Sequence, residues 1–192
     1  QGIFYVSYAD ANIARTAMAY TKIEPADNYD RIYQTDGCGW RGRQGYDDGE
    51  CWFANVYRAG EGEQLAAAGF YAVGEDTFYE LYLVETFSGT ADFSKRRLLK
   101  RGTFRWSGYY TVELSEEIPL REGGRFALLV HINTPDVKNP VAVEYRGDPD
   151  AKNVTTDGKY GFISRDGNDW DHTEEKYGSN VCLKAYTHRA DE

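Results

Sequence analysis

The chain has one methionine, five prolines and three cysteines among 192 residues, and no run of apolar residues approaches the ~18 that a membrane-spanning helix needs. Cys38, Cys51 and Cys182 form no Cys-x-x-Cys pair and no Cys/His zinc spacing, which removes the common structural zinc modules. Basic residues are also short: 22 Lys and Arg stand against 31 Asp and Glu, a net charge of −9. Phosphate affinity comes from Lys and Arg, so this balance excludes nucleic acid as an expected partner. The one basic cluster, Lys95-Arg96-Arg97 with Lys100 and Arg101, is short enough to expect a solvated turn. Low-complexity stretches and internal repeats are missing too.

Aromatic residues and glycine are plentiful. Sixteen tyrosines, four tryptophans and twenty glycines favour strands and turns over helices. Alternation of period two runs through Arg125–Ile132, where Phe126, Leu128, Val130 and Ile132 share a face. It recurs in Tyr109–Leu114, with Tyr110, Val112 and Leu114 inward, and in Trp52–Tyr57, Phe78–Val84, Val141–Tyr145 and Val181–Tyr186. Turn residues such as Gly74-Glu75-Asp76 and Glu122-Gly123-Gly124 separate these runs. The expected fold is all-β, an antiparallel β-sandwich of jelly-roll type. Glu61–Ala68 has helical composition but runs directly into Gly69–Val73, so an extended strand is expected there.

Candidate chemistry falls into three groups. For saccharide binding, the Gly-rich loop Gly37–Tyr46 offers Trp40 and Tyr46 as platforms, with Arg41 and Arg43 as hydrogen-bond donors. For a cation, Asp166, Asn168, Asp169 and Asp171 put four oxygen side chains within six positions. The same segment resembles an Asp-box hairpin, in which Asp caps the turn and Trp170 packs beneath, and the structural turn is favoured over a metal loop. Asp47-Asp48-Gly49-Glu50 reads as an exposed turn. A non-local oxygen set comprises Asp36, Asn55, Glu80 and Glu144. Glu144 closes an apolar strand, where a buried carboxylate needs compensation from a cation or an arginine. For catalysis, His131, His172 and His188 have no local nucleophile motif, and the apolar flanks of Cys182 suggest an inert buried thiol. Cys38 and Cys51 flank the Gly-rich loop and could pair in an oxidising compartment. Asn153-Val154-Thr155 is a glycosylation sequon in a host that glycosylates.

Several stretches, in order, resemble one family. They include Asn28–Asp36, Cys51–Tyr57, Glu63–Tyr71, Tyr79–Leu83, Gly108–Leu114, Asn139–Glu144 and Asn180–Tyr186. The family is the lectin-like domain that follows papain-family cysteine peptidases in surface proteins of clostridia and some archaea. One departure is Thr35, where relatives carry an aromatic residue between Gln34 and Asp36. Gly2–Asp10 is similar to the closing strand of a papain-type peptidase, so residues 1–24 are expected to be that strand plus a linker, and 25–192 the sandwich. The resemblance implies an accessory domain in an extracellular or cell-surface setting with an upstream peptidase as partner; the expected role is non-catalytic, binding a cell-wall or surface glycan or a protein, or stabilising and positioning the protease. It also implies a calcium ion in the domain. The alternatives are a spacer without ligand and an independent hydrolase.

Overall fold

Thirteen strands carry the alternating pattern among the described residues. The protein is described here by a computed structural model covering residues 22–149 and 151–190, with Tyr5, Ser7, Ala9 and Tyr20. The rest of the expected Gly2–Asp10 strand, and the linker from Ala11 to Ala19, lie outside the described residues. In chain order the strands are β1 (Arg31–Tyr33), β2 (Gly42–Gln44), β3 (Glu50–Arg58), β4 (Glu63–Ala72), β5 (Thr77–Val84), β6 (Arg97–Phe104) and β7 (Gly108–Pro119). They continue with β8 (Arg125–Asn133), β9 (Val141–Tyr145), β10 (Gly161–Ser164), β11 (Asp171–His172), β12 (Ser179–Val181) and β13 (Leu183–Arg189). A 3-10 turn at Thr90–Lys95 and a single-turn helix α1 at Thr173–Tyr177 complete the set.

Every pairing is antiparallel, as expected of this composition. One sheet runs β1-β13-β4-β7, a second β11-β10-β3-β8-β5-β6, and a third β12-β9-β2. The main core lies between them: Phe53, Leu81, Leu128 and Val130 of the six-stranded sheet pack with Leu65, Phe70, Val112 and Leu183 of the four-stranded one. Burying an aliphatic or aromatic side chain contributes roughly 1.5–3 kcal/mol, and this cluster is the main source of folding free energy. β8 is central and buried on both faces, because Ala127 and Leu129 enter a second cluster with Val56, Phe87 and Phe93. The 3-10 turn brings Phe93 over that outer face, so its apolar residues are covered.

Three local expectations are corrected. The basic cluster is not a turn. Lys95 ends the 3-10 segment, while Arg97, Lys100 and Arg101 lie on β6, paired with β5 at the sheet edge. Charge on an outer strand blocks edge-to-edge association, which explains the composition. Val181–Tyr186 is not one ribbon: the chain leaves β12 in the three-stranded sheet, passes Cys182 and enters β13 in the four-stranded sheet. All three cysteines are free; Cys38 is exposed and Cys51 buried, so the conditional Cys38–Cys51 bridge is not formed. Glu63–Ala72 is a strand, as the absence of a helix stop suggested.

The crossing at Cys182 leaves carbonyls inside the core. Asn55, fully buried on β3, donates Nδ2 to Val181 O at 3.1 Å and Leu183 O at 3.0 Å, and also reaches Thr35 Oγ1 at 3.2 Å. The Tyr57 hydroxyl donates to Leu183 O as well. A buried acceptor without a donor costs more than an ordinary hydrogen bond gains, so these two side chains make the crossing tolerable.

The chain enters the four-stranded sheet along its outer face. Lys22 reaches Glu113 on β7 at 3.1 Å, and Tyr29 packs on Tyr186 at 4.7 Å and on His188 at 5.3 Å. His188 Nε2 donates to Asn28 O at 2.8 Å and Nδ1 to Glu117 at 2.7 Å. Both ring nitrogens face acceptors, so both bonds exist together only in the imidazolium. The Asn28 carbonyl first and Glu117 second raise its pKa above the usual value.

Two outcomes follow. Asn55→Ala is expected to lower stability by about 2–3 kcal/mol, read as the shift in urea midpoint at constant slope, because two core carbonyls lose donors. His188 has a raised folded pKa, so its contribution is complete below about pH 6.5 and disappears as pH rises through the folded value. The melting-temperature gap between the native chain and His188→Ala should therefore shrink between pH 6 and pH 8.5; parallel curves would show that the ring stabilises by stacking alone.

Candidate functional site

The outward residues of β4, β7 and β13 build an aromatic ridge. Trp40 leans on Tyr71 at 5.7 Å, and Tyr71 meets Tyr109 edge-on at 4.8 Å. The Tyr109 and Tyr186 hydroxyls share a hydrogen bond of 2.5 Å across β4. That bridge needs a glycine beneath it: a Cβ on Gly69 would lie 2.0 Å from the Tyr109 hydroxyl. Trp40 and Tyr109 remain 37% and 38% exposed, and Ile32 on β1 is 53% exposed. Burial raises the Tyr71, Tyr109 and Tyr186 pKa values, so the hydroxyls stay neutral donors and acceptors.

A hollow of about 250 Å³ opens beside the ridge, lined by Ile32, Gln34, Tyr71, Tyr109, Lys184 and Tyr186. The Lys184 ammonium donates to Gln34 Oε1 at 2.5 Å and stands 3.2 Å from Asp36 Oδ2. This second contact sets an ammonium against the Asp36 carboxylate, which is 1% exposed. Desolvation pushes its pKa up, and Lys184 opposes that rise. Flat rings with polar groups at their margin can receive an apolar sugar face while donating to its hydroxyls.

The other sequence candidates lie elsewhere. Tyr46 sits under the Arg165 guanidinium at 5.3 Å, and with Asp166, Asp169, Trp170 and Asp171 it lines a hollow of about 450 Å³. Asp166 accepts from the backbone of Asn168 at 2.9 Å and Asp169 at 3.1 Å, which brings its pKa down to about 2. Gly167 takes a φ of 74° against the Trp52 ring, and Trp170 packs on Phe93 at 4.5 Å. The segment is thus a capped hairpin with its tryptophan tucked beneath. Asn168 turns its amide back onto Asp166 O, and Asp171 accepts from Lys176 at 2.7 Å. Arg41 is braced by both oxygens of Asp148, at 2.8 and 3.3 Å. Arg43 is exposed at the middle of β2, opposite Ala142.

The non-local oxygen set is divided as well. Glu80 lies on the far side of the six-stranded sheet, accepting from Tyr82 at 2.8 Å and facing His131 at 3.3 Å. Its pKa is lowered, chiefly by the Tyr82 bond. Glu144 needs neither cation nor arginine: Cys38 N donates to Oε2 and Asn180 Nδ2 to Oε1, each at 2.7 Å. Charge-assisted bonds of this kind compensate a buried carboxylate. Asn55 Oδ1 and both Asp36 oxygens are buried without hydrogen-bond donors, yet these fall short of the six to eight oxygens calcium takes, and Lys184 already stands on Asp36. Among the described residues no three His, Cys, Asp or Glu side chains group to hold a metal. The oxygens singled out from the sequence thus lie in separate places among the described residues.

Thr35, where relatives carry an aromatic residue, donates Oγ1 to Val181 O at 3.3 Å and accepts from Asn55. Cys182 is packed with Val73 and Ala142, and burial pushes its thiol pKa up. His131 stacks on Trp52 at 4.5 Å in a different layer, so the two do not form a nucleophile–base pair. Sequence reasoning passed over Tyr71 and Tyr186; their outward phase relative to Phe70 and Ala185 was the available signal.

Comparison with known proteins agrees with this architecture. A solved structure of the clostridial cysteine protease Cwp84 after propeptide cleavage superposes with a TM-score of 0.70 at 22% identity, over 83% of this chain and 40% of that one. The protease and lectin-like domains of Cwp84, a surface layer associated protein of Clostridium difficile, give 0.67 at 22% identity, over 83% and 36%. The chain therefore spans well under half the length of either. No curated protein matches the sequence. The family model described as a lectin like domain matches residues 32–187, and the chain belongs to that family.

Proposed function

We propose that this chain is a non-catalytic accessory domain of a cell-surface or secreted cysteine peptidase, and that it binds a surface saccharide along the Trp40–Tyr71–Tyr109 ridge. The observation that carries the reading is an aromatic row, partly exposed, on the outer face of a sheet, with Gln34 and Lys184 at its margin. Family membership supports a lectin-like role, and the fold neighbours carry a peptidase in the same chain. Fold alone does not establish sugar binding, so the ridge has to carry the claim.

A second reading is favoured by the path of the chain. Residues 22–30 run over the same outer face, tied by Lys22 to Glu113 and by Asn28 to His188. A preceding domain would be delivered beside the ridge and could dock there, bracing the peptidase instead of binding sugar. The flanking arginines contribute differently: Arg41 is committed to Asp148, leaving Arg43 free to touch a ligand.

Retention on a cell-wall glycan array separates the readings. Trp40→Ala and Tyr109→Ala are each expected to weaken binding at least tenfold, about 1.4 kcal/mol. Tyr46→Ala, in a separate hollow, should leave it unchanged. Retention lost only with Tyr46→Ala would move the site to the Asp166 hairpin. No retention by the native chain, with both ridge variants altering the thermal stability of the attached peptidase, would establish the docking role.

A further inference from the structure

β1 is an outer strand of the four-stranded sheet, with β13 as its one partner among the described residues. Residues 31–35 run along one wall of a groove of about 470 Å³. The end of β3 forms the opposite wall. β10 pairs with residues 52–55 of β3, and Val56 N still reaches Tyr160 O at 2.9 Å, but among the described residues Tyr57 and Arg58 have no strand on that side. Two unpaired edges, one from each main sheet, thus border the same space. Its floor is polar, with Asn180 and Tyr57, and Tyr160 stands 48% exposed at the rim.

The charge of the groove is opposite to that of the chain. On a protein of net charge −9, its lining contains Arg31 and Arg58 and, among the described residues, no Asp or Glu. Arg31 is partly neutralised by Glu63 at 3.2 Å. Arg58 donates to the Gly123 carbonyl at 2.5 Å and has no ion-pair partner among the described residues. An unpaired strand edge is a template for one more strand, and the three residues of β1 offer roughly 10 Å of it. Main-chain bonds to an edge supply affinity, and side chains at alternate positions supply selectivity.

We propose that this groove binds an extended acidic peptide, which adds to the free edge of β1 and places carboxylates on Arg31 and Arg58. The proposal is independent of the aromatic ridge. Ile32 and Gln34 border both spaces, but Trp40 and Tyr109 do not line the groove.

Fluorescence anisotropy with a labelled octapeptide alternating glutamate and valine tests it on the full 192-residue chain. Saturable binding is expected, weakened at least tenfold by Arg58→Glu and less by Arg58→Gln, and unchanged by Trp40→Ala. N-methylation of alternate peptide nitrogens should abolish it, because a carboxylate contact alone does not require the backbone. Circular dichroism of the Arg58 variants checks that they fold; this side chain is exposed. A dissociation constant weaker than about 1 mM, or equal affinity for a lysine–valine octapeptide, would overturn the proposal. So would binding indifferent to N-methylation and displaced by an oligogalacturonate, which would make the groove an anionic-sugar site. Self-association of the native chain that Arg58→Glu abolishes, without peptide binding, would assign the edge to a second copy.

Discussion

The crossing at Cys182 constrains the rest of the molecule. There the chain passes from β12 in one sheet to β13 in another, and a strand that changes sheets gives up its ladder partners for a residue or two. In water the freed carbonyls would cost nothing. Here Val181 and Leu183 are fully buried, so donors have to come from side chains that share the core. Asn55 supplies two with one amide, and Tyr57 adds a third. Both alternate on β3 with apolar residues of the outer cluster and share the inner face with Cys51 and Phe53, so the polar bridges are embedded in the main core. Glu144 performs the related task one strand away, where its carboxylate gathers Cys38 N and the Asn180 amide. Polar residues that a sequence reader would hand to a metal are thus consumed in holding three sheets together.

That arrangement also decides which surfaces remain for recognition. The outer face of the six-stranded sheet, Phe162 included, is covered by Phe87 and Phe93, and further outward side chains bind one another: His131 stacks on Trp52 and faces Glu50 and Glu80. Arg96 lies over Trp52 at 4.5 Å. A tryptophan occupied by an imidazole and a guanidinium offers no free ring face to a ligand. The four-stranded sheet is treated differently. β4 is lined with alanine and glycine, which lets rings from β7 and β13 lie across it instead of standing upright. Flat rings on a sheet expose faces, whereas upright rings expose edges, and only the former suit a stacked ligand.

Much of this fold is legible in the residues themselves. Phe126, Leu128, Val130 and Ile132 do share the inner face of β8, and Val112 and Leu114 turn inward on β7. Period two survives because each sheet has one consistently apolar side. What periodicity could not show was the break at Cys182. Val181, Cys182 and Leu183 are uniformly apolar, and a change of sheet leaves no mark on hydrophobicity. β6 was missed for the opposite reason, since its charged residues sit on a solvated outer strand where few need to be apolar. The site was legible in part. Trp40 could be singled out from its glycine-rich loop, but Tyr71 and Tyr186 join it only through strand order, and register between distant strands is not written in local composition.

The same logic explains why a strongly acidic chain keeps a basic groove. Acidic residues at Asp36, Glu63, Asp148 and Glu144 are buried, each with a partner that offsets the desolvation of its charge. Those internal pairs draw on Arg31, Arg41 and Lys184, of which Arg31 stays half exposed and also lines the groove. Arg58 differs from these three: it ends β3 where β10 has already stopped, and a carbonyl is its partner in place of a carboxylate. A guanidinium bonded to a carbonyl keeps its charge, and the surrounding field of the chain sharpens the contrast for an approaching anion at short range only, within a screening length of about 8 Å at physiological salt. Recognition at that edge therefore depends on contact geometry, and not on long-range steering, which the net charge of the protein opposes for any acidic partner.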